Sequence, residues 1–345
     1  MSDFNSNSIG IPNGNYFALP SQAEDSALVL VSAPWDVTTS YRPGASQGPQ
    51  AILNASAQID LYDLDNGEAW TKGIGTIPIS DEILEKSKKT RAVAEQIIML
   101  LEEGAAEDDP RVTPLLTEVN KAAEQLNQYV YNHTKKLLDK GHLVGLVGGD
   151  HSTPFGFVKA LSEKYTDFGV LHVDAHADLR EAYEGFEFSH ASIMYNIIKH
   201  IPQVSNLVQV GVRDLCKDEL DLANESSRIH MFNDYFINNE LFNGKLWAHV
   251  CGDIIAKLPQ KVYVSFDIDG LSPDNCPGTG TPVPGGLSFH QANFLIKQLV
   301  QMGKTIVGFD LCEVSPTEES EWDATVGARI LYKLCGYCIR SQEAK

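Results

Sequence analysis

The chain has 345 residues, 43% of them hydrophobic and 21% charged, with a formal net charge of −19. That acidic balance argues against nucleic acid or an anionic membrane as partner, because both are bound through clustered Lys and Arg. No apolar run reaches the length of a membrane span, no basic-then-apolar leader opens the chain, and six cysteines are too few for a disulfide framework, so a cytoplasmic protein with reduced thiols is expected.

Residues 1–26 are rich in Ser, Asn and Gly and read as an irregular arm. Residues 27–345 read as a single α/β domain in which β-type runs alternate with helix-type runs. Strands are predicted at 28–33, 73–79, 143–148, 168–174, 206–213, 228–232, 261–267 and 305–311. Helical spacing appears at 51–62 and at 112–138, where Leu115, Leu116, Val119, Ala122, Ala123 and Leu126 recur at intervals of three and four. The stretch from 80 to 141 reads as two helices broken by the acidic, Pro-ended turn at 104–110, a helical elaboration without chemically useful clusters. Thr153-Pro154 is a helix start, with a hydroxyl to cap and Pro in the first turn. Short Val- and Leu-rich strands followed by helices imply a mostly parallel sheet covered on both faces. Cys335 and Cys338 form a CxxC with no second pair or nearby His to complete a zinc site, so buried thiols are expected.

Three of these apolar runs end in polar clusters: Gly148-Gly149-Asp150-His151-Ser152, Asp174-Ala175-His176-Ala177-Asp178 and Ser265-Phe266-Asp267-Ile268-Asp269. Parallel sheets place ligand groups at the carboxyl ends of their strands, so the three clusters are expected to converge. A single DxH or DxD is more often a turn or a cap, and GGDH alone is explained by a tight turn. Together they supply two imidazoles and four carboxylates. Carboxylate oxygen suits hard divalent cations, and imidazole widens the choice to Mn, Fe, Co, Ni or Zn. Two such ions about 3.5 Å apart lower the pKa of a shared water, which suits hydrolysis of a poor electrophile.

Two further residues lie at or near the same rim. His190, in Phe188-Ser189-His190-Ala191-Ser192, is of the type that shuttles protons near neutral pH, although a lone His is commonly structural. Glu313 ends the last strand, where a carboxylate is able to grip a planar guanidinium through two hydrogen bonds; otherwise it is a loop cap.

These motifs, with Ser265 to Pro273, Gly278-Thr279-Gly280-Thr281-Pro282 and Glu313-Val314, resemble the ureohydrolase family of arginases and agmatinases in order along nearly the whole chain. The resemblance implies a three-layer αβα fold around an eight-stranded parallel sheet, two Mn²⁺ ions, and assembly into trimers or hexamers. By position it assigns His151, Asp174, Asp178 and Asp267 to one ion. His176 and Asp269 complete the other, with Asp174 and Asp267 bridging. His190 would shuttle protons, Glu313 would bind the guanidinium, and Thr281 would line its pocket. The implied reaction is hydrolysis of a guanidino group to urea and an amine.

The substrate tail is read from departures. Arg180 stands where arginases carry an Asn, and in Gly211-Val212-Arg213-Asp214-Leu215-Cys216, Cys216 stands where they carry an Asp. Ser40-Tyr41-Arg42-Pro43-Gly44 and Ser189-His190-Ala191 are similar to the agmatinase branch. Agmatine is therefore the expected substrate, with Asp214 and Arg180 among the contacts. A cation at position 180 disfavours an amine and welcomes a carboxylate, which keeps guanidino acids as an alternative. The 80–141 elaboration, a departure from a compact family member, keeps guanidine open, and arginine, which both departures weaken, is the remaining alternative. Two rivals use the same residues differently: a one-zinc deacylase, which needs fewer Asp ligands, and a non-catalytic binding protein, which has no need of all six donors.

Overall fold

The computed structural model describes residues 4–317 and 320–343. Eight strands form one sheet: β1 (Leu28–Ala33), β2 (Ile74–Thr76), β3 (Leu143–Gly148), β4 (Phe168–Val173), β5 (Val204–Val210), β6 (Ile229–Phe232), β7 (Lys261–Asp267) and β8 (Thr305–Cys312). Their spatial order is β2-β1-β3-β8-β7-β4-β5-β6, and every neighbouring pair is parallel. Alternation assigns successive side chains to opposite faces. Leu28 and Leu30 of β1 enter one core, and Val29 and Val31 enter the other.

Helices α1 (Gly48–Ser56), α7 (Asp234–Phe242), α8 (Trp247–Ala256), α9 (Phe289–Gln301) and α10 (Trp322–Ser341) cover the first face. Helices α2 (Asp81–Glu102), α3 (Thr113–Asp139), α4 (Phe155–Lys164), α5 (Ile193–His200) and α6 (Lys217–Glu225) cover the second. The two long helices of the 80–141 stretch thus belong to the outer layer, with Ile97, Val119, Leu126 and Val130 buried in the core on that face. Among the described residues no helix is long and apolar enough to cross a membrane.

Several boundaries differ from the sequence expectations for identifiable reasons. The run at 73–79 pairs only over 74–76, since Pro78 has no N–H to donate and Ile77 makes the last bond to Leu30. The run at 206–213 leaves the sheet at Gly211, whose φ of +97° turns the chain. Helix α1 ends at Ser56, six residues short of the expected 62. Thr153 does not cap α4: its Oγ1 donates to the Asp150 carbonyl, and the helix begins after Pro154. The arm has short 3-10 turns at Tyr16–Ala18 and Ala23–Asp25, and Tyr16, Phe17 and Leu19 are buried in the core. Cys335 and Cys338 lie buried in α10, where burial pushes both thiols up and out of reach of redox chemistry at neutral pH.

Candidate metal centre and substrate cavity

β3, β8, β7 and β4 are consecutive in the middle of the sheet, and their register brings their carboxyl ends level: Val147 pairs with Leu311, Cys312 with Asp267, and Phe266 with Val173. Residues more than a hundred positions apart in sequence therefore meet at one rim. The turn after β3 presses against the 35–36 backbone. Asp150 N–H donates to the Trp35 carbonyl at 2.7 Å, and a Cβ on Gly149 would sit 1.9 Å from that oxygen. Only glycine fits there. Glu313 then ties two strand ends together: its N–H donates to the Gly149 carbonyl at 2.8 Å, and its Oε1 accepts the His151 N–H at 2.9 Å.

All six expected donors come together. His151 Nδ1 lies 2.9 Å from Asp174 Oδ2, 3.2 Å from Asp178 Oδ2 and 3.3 Å from Asp267 Oδ2. His176 Nδ1 lies 3.1 Å from Asp269 Oδ2 and 3.5 Å from Asp174 Oδ1. Asp174 thus offers one oxygen to each set. Asp267 offers Oδ2 to the His151 set, while its Oδ1 accepts the Asp269 N–H at 2.8 Å. Except for half-buried His176, these residues are sealed from solvent.

The electrostatics are those of a site that wants cations. Burial opposes charge on His151, but Asp174, Asp178 and Asp267 outweigh it and hold the imidazole well above its usual range. His176 is raised in the same way by Asp269 and Asp174. Asp174, despite burial, is held well below the carboxylate range by the surrounding imidazoles of His172, His151 and His176. Burial and the Asp174 charge push Asp178 up to about 6, and burial with Asp269 and Asp174 raises Asp267 as well. Four buried carboxylates with only imidazoles for counter-charge fit a pair of dications by charge and by donor type.

A cavity of about 180 Å³ opens beside this cluster, lined by His176, Asp178, His190, Arg180, Asp214 and Thr281 among others. His190 sits on a 3-10 turn with Nδ1 3.4 Å from Thr38 Oγ1 and 3.3 Å from Ser189 Oγ; its backbone N–H donates to Thr38 Oγ1 at 3.1 Å. Burial, reinforced by the cationic His176 and His151, pushes the His190 imidazole down to about 3. Glu313 is not on the cavity wall. It lies deeper, where a Cβ on Gly280 would come within 3.7 Å of its Oε2, and burial beside Asp150 raises its carboxyl well above the usual range.

Arg180 does not stand free. Its guanidinium stacks on Tyr183 at 4.9 Å, and its Nε lies 3.8 Å from Glu219 Oε2. Glu219 itself caps α6 through the Cys216 N–H and accepts the Leu179 N–H. The turn at Gly211 carries Asp214 to the cavity by docking the Arg213 and Asp214 N–H groups on the Ala175 carbonyl.

Sequence reasoning missed the residues behind the donors. His172 Nε2 is 2.8 Å from Asp174 Oδ2, Gln209 lies behind His172, and Ser265 Oγ is 2.8 Å from His151 Nε2. A signal existed: His172 and Ser265 each precede a ligand candidate by two, so strand alternation puts them on the same face.

Comparison with known proteins agrees with this architecture. The Arginase family model matches residues 26–336. N(1)-aminopropylagmatine ureohydrolase of Synechocystis sp. is 30% identical over 93% of this chain and 92% of its own length. Proclavaminate amidinohydrolase of Streptomyces clavuligerus is 31% identical over 89% and 87%, and the agmatinase of Bacillus anthracis is 29% identical over 88% and 89%. The fold is similar to that of agmatine ureohydrolase of Thermoplasma volcanium, with a TM-score of 0.72 at 21% identity over 99% of this chain and 97% of the other. Arginase from Medicago truncatula gives 0.65 at 23% identity over 91% and 88%. With its parallel eight-stranded sheet, its rim of His and Asp, and a family match spanning most of its length, the chain belongs to the arginase family of ureohydrolases.

Proposed function

We propose that this hydrolase holds two Mn²⁺ ions and cleaves agmatine to urea and putrescine. His151, Asp174, Asp178 and Asp267 would hold one ion, and His176 and Asp269 the other, with Asp174 and Asp267 shared. Bound Mn²⁺ would supply Lewis acidity and an activated water, which the resonance-stabilised guanidinium carbon requires.

The remaining work falls to the chain. Glu313 would receive the guanidinium: its Oε1 is anchored on the His151 N–H, while its Oε2 makes no hydrogen bond among the described residues. A buried carboxyl raised by desolvation ionises when a cation arrives beside it, so the substrate itself would switch the clamp on. His190, with Nδ1 engaged by Thr38 and Ser189 and its imidazole kept neutral by burial, would use Nε2 to take the proton lost by the attacking water and hand it to the leaving amine. Thr281 would close the guanidinium end of the cavity.

The observation that carries agmatine over a guanidino acid is the charge on the cavity wall. Asp214 has no ion-pair partner among the described residues, whereas Arg180 is stacked on Tyr183 and faces Glu219. A carboxylate free to take an amine, beside a cation already compensated, favours a cationic tail. The part-exposed Arg180 head supports guanidino acids as the second reading. Urea release from agmatine, arginine, guanidinobutyrate and guanidine, each with Mn²⁺, tests the choice. Agmatine is expected to give the highest kcat/KM; turnover of another compound with negligible activity on agmatine would overturn it.

A further inference from the structure

Two buried polar residues lie behind the donors and take no part in the chemistry proposed above. His172 is the fifth residue of β4 and Gln209 the sixth of β5; both are completely buried among Val and Leu, and the sheet register sets them side by side. In strands of this kind an apolar side chain is the cheaper occupant, because each buried polar atom needs a partner. Gln209 Oε1 has none. Such a cost points to a role.

The hydrogen bonds define that role. Gln209 Nε2 lies 2.6 Å from the Ala177 carbonyl and 3.0 Å from His172 Nδ1. A carbonyl only accepts, so the amide must turn its NH₂ toward it, and the two hydrogens then serve Ala177 and His172. His172 Nδ1 is consequently the bare nitrogen, and Nε2 carries the proton. That proton points at Asp174 Oδ2, 2.8 Å away. Distance alone would admit His172 as a metal ligand, since its donor atom groups with those of His151, Asp174 and Asp178. A protonated nitrogen cannot ligate. The second bond of Gln209 grips the 174–178 loop one residue before Asp178, whose φ of +53° is uncommon outside glycine, so the same bond holds the turn that presents Asp178.

We infer that Gln209 and His172 form a clamp that positions the metal-binding carboxylates, His172 as a hydrogen-bond donor that aims Asp174 and Gln209 as the residue that fixes the His172 tautomer and the Asp178 loop. The inference rests on the reading of the six donors as a two-metal site. Outer partners of this kind typically alter metal affinity by about 10- to 100-fold.

Mn²⁺ titration calorimetry on the full chain tests it, with Gln209→Met, which keeps length but loses both donors, and His172→Leu. The parent is expected to bind two Mn²⁺ per chain. Each variant is expected to lose about 10- to 100-fold in affinity for the more tightly held ion, while the metal-free Tm shows that the fold survives; His172→Gln, which keeps a donor, is expected to recover part of the loss. Should His172→Leu fail to fold, Gln209→Met and the ¹⁵N shifts of the parent's histidines decide, the expected spectrum placing the proton of His172 on Nε2. Two ions bound equally well by parent and variants, or a proton on Nδ1, would overturn the clamp alone. A parent that binds no ion would overturn the metal reading and the clamp with it.

Discussion

Thr38 places one hydroxyl between His190 and Asp150. Its Oγ1 accepts the His190 N–H at 3.1 Å and lies 3.4 Å from both His190 Nδ1 and Asp150 Oδ2. The hydroxyl has a single proton. Burial pushes the Asp150 carboxyl up to about 7; in its ionised form it takes that proton, and the imidazole must then present an N–H to Oγ1, which leaves Nε2 as the basic nitrogen toward the cavity. Replacing Thr38 by Val keeps the shape, strands the His190 N–H and frees the ring. We expect Thr38→Val to lower kcat about tenfold with little change in KM, a fraction of what loss of a general acid costs, and Thr38→Ser to retain most of kcat. Steady-state kinetics on the substrate identified by urea release checks this. A rise in KM alone would instead mean that Thr38 shapes the cavity. At this scale the sequence was only partly legible. The donor residues stood out because ligand types recur at strand ends; Thr38 and Asp150 become neighbours only through folding, so no spacing exposes them.

Among the elements, the eight apolar runs were readable because parallel strands buried on both faces are nearly continuous in Val, Ile and Leu. Their ends were less so. Pro78 and Gly211 are the punctuation marks that fix two of them, and the second matters to the site because it swings Asp214 to the cavity. His172 and Gln209 were hidden inside such runs, where a polar letter carries no sign of its partner. Element packing was not legible at all, and Asp65 illustrates why. Its Oδ1 accepts from Lys297 of α9 at 2.8 Å; its Oδ2 accepts from Lys333 of α10 at 2.8 Å and from Tyr337 at 3.0 Å. Burial opposes ionisation, but the two lysines outweigh it and hold the carboxyl well below its usual range. A depressed carboxylate contributes stability above its unfolded value and loses it as pH falls from there toward the folded value. Asp65→Asn is therefore expected to cost about 1–2 kcal/mol at neutral pH, kept small because water reaches the pair, and to flatten the fall in stability below about pH 4. Urea unfolding across that range is the measurement; an unchanged acid limb would refute the assignment.

Over the whole molecule, an excess of negative charge surrounds a centre that collects more of it. The chain carries −19, and the centre buries Asp174, Asp178, Asp267 and Asp269. Such a field draws cations inward. Without metal the cations available are protons. His151 and His176 are held above their usual range, Asp178 is raised to about 6 and Asp267 is raised as well, so the metal-free centre retains protons near neutrality. On the proposed two-metal reading the donors must give these protons up, because imidazole binds metal only when neutral and carboxylate only when ionised. The free form therefore holds more protons than the loaded form, and affinity must rise with pH. A ligand that binds only the native state raises stability in proportion to the logarithm of its concentration over its Kd. The rise in Tm produced by a fixed Mn²⁺ concentration is thus expected to be larger at about pH 8 than at about pH 6, as proton competition at shifted ligands requires. Calorimetry in two buffers of different ionisation enthalpy should register net proton release to the buffer at the lower pH. Equal Tm shifts with no proton release would mean that the donors are already bare, and the charge argument for a two-cation centre would fail at its root.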